Sequence, residues 1–397
     1  MYKFLFALCF TFSISYVSIA QNAYDSDFLE VKKIFADIEK TALAENFVGV
    51  RSSQGIQTGL FKIEKTGIDT NPIVSAVNSY LNTLSMAEKI QTQFSVDDSE
   101  WRRWFNVDNG IYVRQGLSLK EMNAEQHTAA FKILSTSLSA QGLKLSKNIM
   151  KTDKTLSEIN NNAEHLDEEL YFITIMGIPS KTEPWGWQLD GHHLVINYFI
   201  LGDQVVMTPT FLGAEPAVTT SGKYKGNEVL QLEQDYGLSF VTSLSPKQKI
   251  KAIIESQKTD DNMVADAHKD NIVLDYAGIN TGELNDNQKN ALLNLISLYV
   301  NNMKDEQASV KMEEVKAHID QTWFSWVGGT EADSVFYYRI HSPVLLIEFD
   351  HQKPIGTRSL NDPAIPSKDH IHVVIRTPNG NDYGKDILKQ HLLKHKH

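Results

Sequence analysis

Trp185-Gly-Trp-Gln-Leu-Asp-Gly-His-His-Leu-Val-Ile-Asn-Tyr-Phe-Ile-Leu-Gly-Asp-Gln-Val-Val-Met-Thr-Pro-Thr-Phe211 is the stretch on which the fold of this chain turns. It reads as a loop carrying two tryptophans, a strand opened by paired histidines, a short turn at Gly202-Asp203, and a returning strand. Aromatics, the Asp190 carboxylate and two imidazoles thus gather at the mouth of an apolar hairpin. More strands follow residue 322: Thr322-Trp-Phe-Ser-Trp-Val327, Ser334-Val-Phe-Tyr-Tyr-Arg-Ile-His341, Val344-Leu-Leu-Ile-Glu-Phe-Asp350 and His370-Ile-His-Val-Val-Ile-Arg376. Gly328-Gly329 and Ser342-Pro343 punctuate them.

Elsewhere the spacing is helical. Apolar residues recur at helical period in 27–43, 71–84 and 308–319, and the basic tail 385–397 reads as a solvated terminal helix. Leu170 to Met176 reads as a buried strand, and Ile90, Thr92, Phe94 and Val96 alternate as a further strand would. Trp101 and Trp104, three apart, suit a buried helix edge. Helices early and strands late predict an α+β fold: a mainly antiparallel sheet with helices packed around it. No Gly/Ser-rich or Pro-rich linker interrupts the chain, so 21–397 reads as one intertwined domain.

Three segments share a layout. Met122-Asn-Ala-Glu-Gln126, Leu244-Ser-Pro-Lys-Gln248 and Leu284-Asn-Asp-Asn-Gln288 each place Asn or Ser three residues before Gln. The short side chain accepts from a first-turn amide while Gln reaches back to the cap amide, so helices should start at Asn123, Ser245 and Asn285. Pro246 suits the first helical position. The irregular spacing argues against a solenoid.

The 397 residues are 42% hydrophobic and 22% charged, as in ordinary globular proteins. Lys3, the apolar run Phe4 to Val17 and Ser18-Ile-Ala20 read as a cleavable signal over 1–20, with an uncleaved anchor as the alternative. The expected location is periplasmic or secreted, without stable membrane insertion after cleavage. Cys9, the only cysteine, lies inside that segment, which excludes thiolate sites from the mature chain. Losing Lys3 moves the net charge from -11 to -12. An acidic chain without a basic patch is a poor nucleic-acid binder.

Three groups carry chemistry. Asp369-His370-Ile-His372 puts two imidazoles on one face of a strand, together with Val374 and Arg376, while Ile371, Val373 and Ile375 face the core. Such a His-x-His pair suits Zn, Fe or Cu. His192-His193 should point to opposite faces, so one of them joins a common site unless the backbone bends near Gly191. Glu348 ends an apolar run, where a carboxylate must be paired, protonated or bound to a cation. Arg339 can balance it or clamp an anion. Walker-A, nucleophile-elbow and HExxH patterns are absent from the sequence. Asp260-Asp-Asn262 and Asn285-Asp-Asn287 lack the glycine and glutamate of a calcium loop.

Trp185-Gly-Trp187, Gly191-His-His-Leu194, Thr208-Pro209, Phe211-Leu-Gly-Ala-Glu-Pro216, Tyr338-Arg-Ile340, Ile347-Glu-Phe349, Asp369-His-Ile-His372 and Asp382-Tyr-Gly384 resemble, in this order, the bacterial DUF3500 family. The resemblance covers most of the chain and implies no established activity. It places these separated stretches in one domain.

The site expected from the sequence is composite. His370, His372 and one of His192 or His193 hold a transition metal (Zn, Fe or Cu), with Glu348 as fourth ligand or general base. Tyr338 and Arg339 orient a small or anionic substrate, Trp185 and Trp187 form a wall, and Asp190 and Arg376 complete the binding groups. The function read from this is an extracytoplasmic metal-dependent enzyme, a hydrolase or an oxidoreductase. The alternatives are a binding protein without turnover and a buried, hydrogen-bonded histidine network.

Overall fold

The computed structural model describes residues 28–395. The signal expected at 1–20, with Cys9, and the terminal His397 lie outside these residues. Among the described residues, ten α-helices and a thirteen-stranded, mostly antiparallel mixed sheet form an α+β fold. Eight longer strands carry the sheet: β1 (Tyr171–Met176), β2 (Pro184–Gly191), β3 (Leu194–Leu201), β4 (Thr210–Ala214), β5 (Trp323–Gly328), β6 (Phe336–His341), β7 (Leu346–His351) and β8 (Ile371–Arg376). Their spatial order is β1-β2-β3-β4-β8-β7-β6-β5, and every neighbouring pair among them is antiparallel. Short strands flank them, and Gln93–Phe94 and Ile253–Glu255 pair in parallel at the two ends.

Both faces of the sheet are covered, which explains the near-continuous apolar run of β3. Helices bury one face, where Leu189, Ile196, Tyr198, Tyr338, Ile347, Phe349, Ile371 and Val373 join one core. Irregular segments bury the other, against Val195, Phe211, Leu346 and Val374. His372, Asp350 and Gly213 are cross-strand partners, so their side-chain positions share the second face.

The three expected helix starts are all present. Asn123, Ser245 and Asn285 each form a complete capping box with Gln126, Gln248 and Gln288. Ser85 and Glu88 form a fourth. This fourth box corrects the strand expected at 90–96: the cap starts a helix, Met86–Thr92, and only Gln93–Phe94 is extended. The tryptophan loop is also corrected, because Trp185 to Gly191 lies within β2. Trp101, on a 3-10 turn, Ser99–Arg102, and Trp104, just beyond it, are fully buried, and no longer helix carries them.

The capping residues expose an internal duplication. Gln126 bonds Glu88 (3.1 Å), and Gln248 bonds Gln288 (3.0 Å), so the caps join in pairs. Asn71–Thr83, Met86–Thr92, Ala124–Ser137 and Ala140–Ile159 precede β1 to β4; Gln231–Ser243, Pro246–Ala252, Asp286–Val300 and Asp305–Ala317 precede β5 to β8 in the same order. Gly116 and Gly278 repeat one close approach, with φ of +86° and +88°, against carbonyls of β1 and β5. The pairing registers make Thr210 and Ile375 equivalent, and these two face each other across β4 and β8. A pseudo-twofold axis therefore crosses the sheet at this pair. No helix of the described residues is long and apolar enough to cross a membrane.

Candidate metal centre

β2 turns into β3 through His192 and His193 alone, since Gly191 already pairs with Leu194. The histidines thus form the hairpin turn and do not open the strand. His193 adopts φ +59°, a left-handed conformation costing a non-glycine residue about 1 kcal/mol. This bend decides between the two rings. They stack at 3.9 Å, but only His193 reaches the β8 pair.

His370 Nε2 lies 3.0 Å from His372 Nε2, which lies 3.2 Å from His193 Nε2. All three ligand atoms fall within 4.8 Å of one another. Tetrahedral coordination at ~2.0–2.1 Å separates ligand nitrogens by roughly 3.3 Å, so this cluster has the dimensions of a three-histidine site. His370 Nδ1 bonds the Lys353 carbonyl at 2.7 Å, which can only accept. In a neutral ring that bond puts the proton on Nδ1 and leaves Nε2 as a lone pair. His372 Nε2 then faces two nitrogens with a single position, a proton or a lone pair, to offer. Hydrogen bonds among neutral rings cannot satisfy both contacts, whereas a cation between the three can.

The surroundings favour neutral rings. Burial and the neighbouring imidazoles hold His193 and His372 well below the usual histidine range. Gly213 supplies the room, since a Cβ there would stand 3.1 Å from the His193 ring and 2.9 Å from the Ile371 carbonyl. Phe211 closes one side, edge-on to His372 at 5.0 Å.

Two carboxylates that sequence reasoning had not assigned flank the cluster. Glu215 lies 3.7 Å from His370 Nδ1 and accepts from the amides of Ile355, Gly356 and Thr357. Burial raises its carboxyl, but His370 and these donors outweigh that and hold it low. Asp153, buried on the helix Ala140–Ile159, meets His192 Nδ1 at 2.5 Å and accepts from the Tyr171 hydroxyl at 2.7 Å. Burial disfavours the His192 cation, yet Asp153 prevails and raises its pKa. Glu215 stood within the quoted Phe211–Pro216 stretch. Asp153 had no such signal, because a buried helical carboxylate looks like a solvated one in sequence.

The remaining expected residues lie elsewhere. Glu348 is outside the histidine cluster, where its carboxylate accepts from the Ala265 amide (2.8 Å) and the Tyr337 hydroxyl (2.5 Å). Burial raises its pKa against these donors and Arg339, its cross-strand partner. Arg339 extends to the Asp275 carbonyl at 3.5 Å. Asp190 pairs with Arg114 at 3.2 Å, with burial pushing its carboxyl up to about 6. Arg376 is fully buried between Asp270 and Asp382. Trp185, Trp187 and Tyr338 belong to the helix-covered core, so they form no wall to the histidines. Strand parity separates them: Tyr338 and Arg339 are adjacent and must face opposite ways.

Tyr338 Oη instead donates to the Glu233 carbonyl at 3.0 Å. The Glu233 side chain is 5% exposed, and burial pushes its carboxyl up to about 7. A raised carboxyl contributes stability that is present below its unfolded pKa and lost as pH rises through about 7. Glu233→Gln should therefore stabilise at pH 8, by roughly 1–3 kcal/mol, and hardly at pH 5. Urea unfolding at both pH values measures this; an equal effect at each would contradict it.

The family profile for DUF3500, described as a protein of unknown function, matches residues 66–385. The chain belongs to the DUF3500 family. The match begins just before the first repeated helix, Asn71–Thr83, and contains every residue of the histidine cluster. No curated protein and no solved structure matched this chain.

Proposed function

We propose that this DUF3500 protein is an extracytoplasmic, periplasmic or secreted, metal-dependent enzyme centred on His193, His370 and His372. The observation that carries this reading is His372 Nε2, held 3.0 and 3.2 Å from two other Nε2 atoms without protons enough for both contacts. An ion held there by three neutral imidazoles would supply an open position for water activation or oxygen chemistry. Zn, Fe and Cu all suit the donor set. Lys353 and Glu215 orient His370, the kind of outer support on which metal sites depend. Asp153 holds the His192 ring beside the cluster and can retain a proton at His192 Nδ1.

A non-catalytic metal-binding protein is the second reading. It is favoured by burial, since the three rings are 3%, 1% and 8% exposed. Metal analysis of untagged protein, expressed with Zn, Fe and Cu supplied, tests both. About one ion per chain is expected, and His370→Ala and His372→Ala should each lose most of it. Replacing the tail residues His391, His395 and His397 with Gln should leave the ion in place. No stoichiometric metal, or occupancy unchanged in both alanine variants, would overturn the assignment. Turnover in a substrate screen separates enzyme from binding protein.

A further inference from the structure

The pseudo-twofold axis gives the histidine cluster a counterpart in the other half of the sheet. The matched registers put Gln204 where His370 stands, Val206 where His372 stands, and Pro343-Val344 where the His192-His193 turn stands. The helix Asp305–Ala317 takes the place of the helix that carries Asp153. At this counterpart the protein has a cavity of about 660 Å³, with Gln204 and Val206 in its wall. That volume lies within the range of small-molecule sites.

The cavity's chemistry differs from that of its twin. Phe61, Ile68, Val300, Met303, Leu345 and Ile375 give it apolar walls. Lys311, also in the wall, is already engaged, donating to Glu314 Oε2 at 2.6 Å and to the Val344 carbonyl at 2.8 Å. The Thr208 and Thr377 hydroxyls bond each other at 2.7 Å. Gln307 is the exception. It lines the cavity, is 5% exposed, and its Oε1 is buried without a hydrogen-bond partner. A buried acceptor left unpaired is costly, and a ligand's N–H or O–H can satisfy it.

We propose that this cavity binds a neutral, largely apolar small molecule carrying one hydrogen-bond donor, which it gives to Gln307 Oε1. Duplication thus leaves one half with a polar histidine centre and the other with a lipophilic ligand site. The carboxylates of Glu64, Asp203, Glu313 and Glu314 in the lining, against Lys62 and the engaged Lys311, disfavour an anion.

Calorimetric titration of the intact protein with 1-decanol, its methyl ether and decanoate tests this. Decanol should bind saturably, about tenfold more tightly than the ether, as one donated hydrogen bond allows. Gln307→Leu should abolish that tenfold difference, and Val310→Trp at the cavity rim, where Val310 is 41% exposed, should abolish binding of both. His370→Ala should leave decanol binding unchanged, which keeps this test separate from the metal assignment. No saturable binding, tighter binding of decanoate, or binding indifferent to both cavity substitutions would overturn the proposal.

Discussion

Arg376→Leu is expected to destabilise the protein by roughly 3–5 kcal/mol, the usual consequence of stripping one partner from a buried ion pair. All of the arginine's nitrogens are engaged. Nε donates to the Ala265 carbonyl (2.7 Å), Nη2 to the Asp266 carbonyl (2.9 Å), and Nη1 to Asp270 (2.9 Å) and Asp382 (3.1 Å). Asp270 would retain Arg102 at 2.7 Å, but Asp382 would keep no ion-pair partner and only the Thr377 amide as a donor. Burial already pushes the Asp382 carboxyl up to about 6 against the pull of Arg376. Without the arginine it rises further, and the folded state must protonate it or carry a buried charge. Since a raised carboxyl loses its contribution as pH rises, the loss should be larger at pH 8 than at pH 5. Asp382→Asn should restore part of it in the double variant, and Arg376→Lys should fail to, lacking the planar fork. Urea unfolding measures each; a loss below about 1 kcal/mol would show that this cluster is not what anchors β8.

Gly278→Ala and Gly116→Ala form the second test, and it probes the duplication directly. A Cβ on Gly278 would stand 2.0 Å from the Phe324 carbonyl oxygen, and one on Gly116 would stand 2.2 Å from that of Ile173. Both obstacles are strand backbone, which cannot swing aside as a side chain does. Left-handed strain adds to the clash, since φ is +88° and +86°. Each substitution should cost roughly 3 kcal/mol or more, lowering the melting temperature by similar amounts in both halves. A melting curve unchanged by either would mean that the segment relaxes freely. Unequal effects would mean that the halves, though alike in topology, differ in rigidity.

How far the sequence reached depended on the range of the force involved. Asn123, Ser245 and Asn285 were legible as helix starts because a cap is settled within four residues. His370 and His372 were legible as a pair because a strand alternates with period two. The same period separates Tyr338 from Arg339, but burial on both faces of the sheet erased the polar–apolar contrast that would have shown which side each took. The repeated caps were visible as a pattern without their meaning. The bonds of Gln126 to Glu88 and Gln248 to Gln288, with the matching order of helices and strands, reveal two halves of one plan.

The histidine hairpin marks the boundary between the two kinds of information. From Gly191-His192-His193-Leu194 alone, one imidazole was expected to meet the β8 pair, by the local geometry of extended chain. Which one was a tertiary decision. The left-handed turn at His193, the space beside Gly213 and the carboxylate of Asp153 together send His193 into the cluster and tether His192 outside it. These partners come from a helix and a distant strand, so no short-range rule of the chain could have chosen between the rings.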